Sequence, residues 1–347
     1  MPEADTTSRH AALLAWAAER HGIAPAALDL RLAADDASFR RYFRLVLPDG
    51  TQRILMDAPP DKEDSAPFVA IARRWADAGL PVPDLYAVDL DAGFLELEDL
   101  GDTPLQHCFE TSEAPITQAW HDRALALLDM LQNRADPAGL PAYDASLLGR
   151  ELDLFTTWSL ERWLALPAPP SWPALRQSLI DTALAQPVVT VHRDFDAMNL
   201  MVVDDELRLI DFQDAVAGPL SYDLISLLHG RYCRFSASRR RAWIEAFRQR
   251  AVADGRLDSI EPQSFHHWVA CMAVQRALKV IGIFCRLTLR DSRQGYLARI
   301  PHFLDHLEDA LAELDELADF RHWVADTLRP ALLAKLAAQG ITWEHVA

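Results

Sequence analysis

Three oxygen-bearing side chains fall close together in the chain at a spacing that suits phosphoryl transfer: Asp194, Asn199 and Asp211. That reaction needs a carboxylate beside the attacking hydroxyl and hard oxygen ligands for Mg²⁺, which offsets the charge of the nucleotide phosphates. Asp194 can accept the hydroxyl proton, while the Asn199 amide oxygen and the Asp211 carboxylate can hold the cation. Such a cation prefers these oxygens to thiolate or imidazole ligands. With 12 His, 35 Asp and two Asn in the chain, an accidental His192-x-Asp194-x-x-x-x-Asn199 run is on the order of one in a hundred. An ordinary polar turn is the bland alternative, and the surrounding elements argue against it.

Those elements are a short β island inside a helical region. Val188-Val189-Thr190-Val191 reads as a buried strand that delivers the chain to His192. Leu200 to Val203 and Leu207 to Ile210 form a hairpin around Asp204-Asp205, and its second arm ends in Asp211-Phe212-Gln213-Asp214. Asp194, Asn199 and Asp211 therefore sit at strand ends or in the loop between strands. Before residue 100 the pattern mixes elements. A helix opens near Ser8 and ends near Gly22, a strand covers 39–47, and a returning strand covers 53–56 after the turn Pro48-Asp49-Gly50. A helix over 68–78 is closed by Gly79, and strands at 82–88 and 94–97 flank Asp91-Ala92-Gly93. After Gly101 amphipathic helices dominate, over 116–132, 149–164, 173–185, 221–230, 239–253, 265–289 and 296–317. The expected fold is α+β and bilobal, with a small α+β nucleotide lobe over 1–97, a hinge over 98–102 and a larger, mainly helical lobe over 103–347.

Composition narrows the partners. The chain has 347 residues and a formal charge of −17, which disfavours a general nucleic-acid binder, because phosphate backbones need a clustered basic surface. The longest wholly apolar run is Ala11 to Ala18, far short of the ~20 residues that span a bilayer, so no membrane association is expected. No signal peptide is visible, and Cys108, Cys233, Cys271 and Cys285 form no Cys-x-x-Cys pair, which reads as a reduced, cytoplasmic protein. Only Lys62, Lys279 and Lys335 among the 34 basic residues are lysines.

The motifs His192-x-Asp194-x-x-x-x-Asn199, Ile210-Asp211-Phe212 and Gly218-Pro219-x-x-Tyr222-Asp223-Leu224 resemble those of the aminoglycoside phosphotransferase-like kinases. The resemblance covers most of the chain and implies the protein-kinase fold, with ATP and Mg²⁺ as cofactors. By it, Asp223 braces the catalytic loop, with His192 also in a supporting role. Leu97-Glu98-Asp99-Leu100-Gly101 matches the hinge, which puts the Glu98 carbonyl and the Leu100 N–H against adenine. Within the family, the segments from Ala37 to Arg44, Leu55 to Pro60 and Asp211 to Ala215 look like a branch that phosphorylates the anomeric C1 hydroxyl of N-acetylmuramate or N-acetylglucosamine during cell-wall recycling. That implies an α-1-phosphate product, a sugar-1-phosphate uridylyltransferase acting next, and a monomeric enzyme.

The small lobe departs from the kinase pattern. No glycine lies between Gly22 and Gly50, so Ser38 and its neighbours must stand in for a Gly-rich phosphate loop. Met56 stands where many relatives have the strand lysine, and the helix that would carry its glutamate partner has Arg73 and Arg74 instead. Arg40, Arg41 and Arg44 are the candidates for a substitute phosphate grip, since a guanidinium can hold phosphate oxygens bidentately. They also suit an ordinary edge strand. On the acceptor side, Arg276 and Lys279 lie three residues apart on one helix face in a stretch without acids, which suits an anionic or neutral sugar better than a polycation. Packing against acidic neighbours explains them equally well. Asp57 and Asp214 are candidates for hydrogen bonds to sugar hydroxyls. Two other readings stay open: an aminoglycoside- or choline-type acceptor on the same fold, and a non-catalytic nucleotide-binding protein.

Overall fold

In the computed structural model, residues 2–35, 39–111, 114–231 and 233–343 are described. The chain divides into two compact units: Met1–Thr103 with Met201–Gln213, and Pro104–Leu200 with Asp214–Ala347. The division is thus not contiguous. The hairpin after Asn199, which the sequence puts in the lobe over 103–347, groups with the first unit.

The first unit is built on a five-stranded antiparallel sheet. In chain order it contains helix α1 (Pro2–His21), strands β1 (Asp29–Asp35), β2 (Arg41–Val46) and β3 (Gln52–Asp57), helix α2 (Ala66–Asp77), and strands β4 (Leu85–Asp89) and β5 (Phe94–Glu98). The sheet order is β1-β2-β3-β5-β4. Leu13 and Ala17 of α1 pack on Phe43, Leu45, Leu55 and Phe94 to form a core. β1 is not foreseen from the sequence; it pairs with β2 through a register shift between Leu32 and Ala34, which breaks the alternation that marks a strand. β4 begins three residues later than expected, after Pro81 and Pro83, neither of which can donate to a ladder. α2 buries Phe68, Val69, Ile71, Ala72 and Trp75, the stripe that helical periodicity predicts.

The second unit is mainly helical. Its elements are α3 (Leu105–Thr111), α4 (Ala114–Arg134), α5 (Ala145–Leu154), α6 (Trp172–Leu184), β6 (Val188–Val191), then β9 (Val216–Pro219) after the hairpin strands β7 (Leu200–Val203) and β8 (Glu206–Leu209), followed by α7 (Tyr222–Leu228), α8 (Ala237–Ala253), α9 (Pro262–Leu289), α10 (Ile300–Leu311), α11 (Ala318–Trp323) and α12 (Arg329–Ala338). The helix expected over 149–164 changes character midway: Phe155–Leu164 is π-helical and ends at Ala165 in the left-handed region (φ 55). The helix expected over 296–317 starts only at Ile300, where Pro301 falls in the first turn and needs no N–H partner. α9 is long and apolar enough by composition to cross a membrane, but 83% of its most apolar stretch is buried inside the protein. It is the central core helix.

α9 and the α5–π segment approach closely because position 282 is glycine. A Cβ there would lie 2.5 Å from the Leu154 carbonyl carbon and 2.6 Å from the Phe155 nitrogen. These are backbone atoms that cannot move aside without shifting a helix. Gly282→Ala should therefore destabilise the protein by about 1–3 kcal/mol through overpacking, read as a lower urea midpoint at unchanged m-value. A neutral or stabilising effect would show that the two helices separate freely.

Candidate active site

In the second unit, the strand Val188–Val191 pairs antiparallel with Val216–Pro219, from Val188 opposite Pro219 to Val191 opposite Val216. The chain leaves this ladder at His192 and turns sharply, with Arg193 in the left-handed region at φ 75. The turn is held by Asp223, at the start of α7 and buried: its Oδ2 accepts the His192 N–H at 2.6 Å and its Oδ1 accepts the Arg193 N–H at 3.1 Å. This is the bracing contact that the resemblance assigns to Asp223. The His192 ring is buried and meets Phe195 edge-on.

The loop beyond is closed by local hydrogen bonds. The Asp194 carbonyl accepts from Asn199 Nδ2 at 2.9 Å and from the Asp196 N–H at 2.9 Å. The Asn199 N–H donates to the Asp196 carbonyl at 3.0 Å, and the Met198 N–H donates to Asp196 Oδ1 at 2.9 Å. Asp196 is buried and ion-paired with Arg231 at 2.8 Å. The Asn199 amide nitrogen is thus used inside the loop, which leaves its side-chain oxygen as the candidate ligand atom. Hard oxygen donors of this kind suit Mg²⁺.

Two carboxylates in this region titrate in opposite directions. Burial alone would raise Asp194, but the positive charges of Lys279 and Arg231, with His192 and Arg276, outweigh it and hold the carboxyl below its usual value. Burial dominates at Asp223 and pushes it up to about 6, against the pull of His192 and the two backbone N–H bonds.

Lys279 belongs to a buried cluster. Its Nζ donates to the Tyr222 hydroxyl at 2.6 Å and lies 3.1 Å from Glu151 Oε1, which also accepts from Arg193 Nη2 at 2.8 Å. Tyr143 donates to the other Glu151 oxygen. Burial would raise Glu151 and lower Lys279, yet their mutual attraction reverses both shifts, so the pair is ionised. Arg276 is buried too, donating to the His229 carbonyl at 3.1 Å and lying over the Phe303 ring. Neither residue of the expected acceptor face is a free surface cation. Lys279 nevertheless lines an open pocket of about 500 Å³ within this unit, together with Glu151, Trp158, Arg193, Ile283 and Arg286. Asp214 is exposed, and its carbonyl accepts from Arg193 at 3.3 Å.

In the first unit, Asp211 has φ 62 and accepts from the Gln213 side chain at 2.7 Å. Its neighbour Phe212 is fully buried, with its ring centroid 5.0 Å from that of Phe68 and 5.3 Å from that of Trp75. The arginines expected to grip phosphate all have carboxylate partners: Arg40 with Glu63 at 2.6 Å, Arg41 with Asp57 at 2.5 Å, and Arg44 with Asp99 and Asp102. Among the described residues, each of the three candidate phosphate-gripping arginines is therefore matched by an acid. Asp57, expected to meet sugar hydroxyls, is fully buried between Arg41 and Arg9. Met56 is buried in the sheet opposite Tyr42 and Leu95. The Glu98 N–H donates to the Asp84 carbonyl at 2.9 Å, and Leu100 is buried. Ser38 lies outside the described residues.

Sequence reasoning missed Arg193, Asp196 and Arg231 as organisers of the loop. The acidity of Asp196 inside the motif was the available signal; the partner Arg231 is too distant in sequence to be read from spacing.

The pH dependence of activity should follow Asp223. Asp194 is ionised well below neutrality, so it does not limit the rate on the acid side. Protonating Asp223 removes one of the two acceptors that hold the loop. We expect kcat/KM to rise with pH through about 6; an acid limb at or below pH 4 would assign it to Asp194 instead. The linked stability effect has the opposite sense. Between 3.8 and about 6 the folded state keeps a proton that the unfolded state has lost, so this group's contribution to stability falls as pH rises.

Comparison with known proteins adds a family relationship. The phosphotransferase enzyme family (APH) matches residues 29–262. An N-acetylmuramate/N-acetylglucosamine kinase of Pseudomonas putida is 39% identical over 301 residues, covering 86% of this chain and 88% of that protein. A kinase of the same description from Pseudomonas aeruginosa is 39% identical over 318 residues, covering 89% and 91%. Among solved structures, an ethanolamine kinase of Plasmodium vivax has the same fold with a TM-score of 0.60 over 83% of each chain, at 10% identity.

Proposed function

The chain belongs to the phosphotransferase enzyme family, and we propose that it transfers the γ-phosphate of ATP to the anomeric C1 hydroxyl of an N-acetylated amino sugar, N-acetylmuramate or N-acetylglucosamine. Its fold is the α+β, protein-kinase-like fold of that family. The observation that carries the reaction is the loop from His192 to Asn199, which presents an ionised Asp194 on a backbone fixed by Asp223. The acceptor follows from the relatives, kinases of these two sugars at 39% identity over most of both chains.

In this reading Asp194 hydrogen-bonds the C1 hydroxyl, aligns its oxygen for in-line attack, and takes its proton as the new bond to the γ-phosphorus forms and the bond from that phosphorus to the β–γ bridging oxygen breaks, releasing ADP. The low proton affinity of Asp194 fits that role, because the hydroxyl becomes acidic only as attack proceeds. The Asn199 oxygen and the Asp211 carboxylate are the residues that would hold Mg²⁺, which when bound neutralises phosphate charge. Glu98 and Leu100 offer the backbone groups for adenine, and Ser38 is the candidate that the sequence offers for the phosphates. Arg40, Arg41 and Arg44 carry carboxylate partners, so any contact of theirs with ATP would exchange one anion for another. The product, a sugar 1-phosphate, is the substrate class of a uridylyltransferase.

The test is direct. The protein is incubated with Mg·ATP and, separately, N-acetylmuramate, N-acetylglucosamine, kanamycin and choline, with ADP release and the ³¹P spectrum of the product followed. Turnover with the amino sugars and a product resonance at C1 are expected. Turnover only with kanamycin or choline would reject the sugar assignment, and no turnover with any of them would favour a binding protein. Asp194→Asn should lose about 10²–10⁴-fold in kcat; retention of most of the activity would remove Asp194 as the base.

A further inference from the structure

The pocket of about 500 Å³ in the second unit contains one cation that has no hydrogen bond or ion pair among the described residues. Of the basic residues on its wall, Arg193 and Lys279 share Glu151, and Arg150 bonds to Ser146. The other wall carboxylate, Asp153, is held by two nitrogens of Arg176, Nε and Nη2. Arg286 makes no hydrogen bond or ion pair among the described residues, and its Nε is buried with no hydrogen-bonding partner. The nearest acid in sequence, Asp291, is taken bidentately by Arg290. A half-buried guanidinium in this state has lost hydration without a hydrogen bond in return, and the attraction of Asp291 at a distance does not make up the loss. Consistent with that, burial and the neighbouring charge of Arg290 lower its proton affinity.

Helix geometry fixes where this cation points. Lys279, Ile283 and Arg286 all line the pocket, at positions i, i+4 and i+7 on α9, which is one face of the helix. Arg286 is two turns, about 10 Å along the axis, from Lys279. The Lys279 end is the end electrostatically coupled to Asp194. Trp158, on the π-helical segment, supplies an aromatic wall between polar groups. A hexose whose reacting hydroxyl lies toward Asp194 would direct a substituent from the far side of its ring toward Arg286.

We propose that Arg286 binds the carboxylate of an acidic acceptor sugar and so sets the preference of the enzyme for a carboxylate-bearing sugar over its neutral counterpart. This rests on the reading above, that the acceptor is an N-acetylated amino sugar. N-acetylmuramate differs from N-acetylglucosamine by a lactyl ether carrying the carboxylate. Arg276 and Lys279, the cations that the sequence singled out for this task, have protein partners; Arg286 lies two turns further along the same helix.

The experiment compares the two sugars on wild type, Arg286→Gln and Arg286→Lys. In Arg286→Gln the ratio of kcat/KM for N-acetylmuramate to that for N-acetylglucosamine should fall about 10–100-fold, the range of a charge-assisted hydrogen bond, with the loss in KM. Arg286→Lys should recover part of it. Calorimetric titration gives the second readout, independent of turnover: the methyl ester of N-acetylmuramate should bind wild type as weakly as the acid binds Arg286→Gln. An unchanged ratio, or an ester that binds wild type as well as the acid, overturns the role of Arg286. Absence of turnover of either sugar by wild type instead defeats the proposed reaction, and the titration still decides whether Arg286 reads a carboxylate. Turnover of N-acetylglucosamine by Arg286→Gln also shows that the variant is folded.

Discussion

The constraint on which the site depends is the buried carboxylate of Asp223 accepting two consecutive backbone N–H groups, those of His192 and Arg193. The chain leaves a β ladder there and enters a left-handed turn at a residue that is not glycine, a conformation that costs about 1–3 kcal/mol. Two hydrogen bonds to one charged acceptor are of the size needed to hold it. Without them the backbone could relax, and the positions of Asp194 and Asn199, which are tied to each other by the Asp194 carbonyl, would move together. Asp223 sits in the first turn of α7, where a negative charge is also favoured by the unpaired N–H groups of the helix end.

A second buried charge network connects this loop to the pocket. Glu151 faces two cations, Lys279 and Arg193, and accepts from Tyr143. One carboxylate cannot neutralise both, so positive potential is left over, and Lys279 leads the charges, with Arg231, His192 and Arg276, that lower the proton affinity of Asp194 although it is buried. The motif Gly218-Pro219-x-x-Tyr222-Asp223 serves the same network at three points. Asp223 fixes the loop backbone and Tyr222 caps Lys279. Gly218 leaves room for Tyr143, whose Cβ would lie 2.8 Å from a side chain placed there. A motif that looks like a helix start is thus also the frame of an electrostatic arrangement.

Much of this was legible in the chain. The strand-loop-hairpin around Asp194 and the apolar stripe of α2 follow from period-2 and period-3.6 patterns, and those patterns reflect burial that the structure contains. The failures have physical causes. β1 was invisible because a register shift interrupts its alternation. The π-helical turn from Phe155 escaped because its residues are ordinary helix formers, and only the close approach of Gly282 distinguishes the region. The carboxylate partners of Arg40, Arg41 and Arg44 were not legible for one reason: ion pairs join residues 16 to 58 positions apart, and a charge count along the chain does not say which charges cancel. Arg286 was overlooked for the converse reason. What sets it apart is a hydrogen-bonding partner it lacks among the described residues, which no spacing in the sequence shows.

That contrast bears on how an acidic protein recognises anions. The chain carries −17 overall, which at long range repels both a nucleotide and an acidic sugar. At physiological ionic strength such repulsion is screened beyond about 8 Å, so what an approaching anion meets inside a pocket is the local balance of charge. In the first unit that balance is near neutral around Arg40, Arg41 and Arg44, each matched to its own carboxylate. In the pocket of the second unit, Glu151 is outnumbered and Arg286 is unmatched. Partly buried charges interact more strongly than exposed ones because little water screens them. The discriminating electrostatics are therefore local to that pocket, and replacing a single guanidinium there changes the field an anion meets more than several surface charges could.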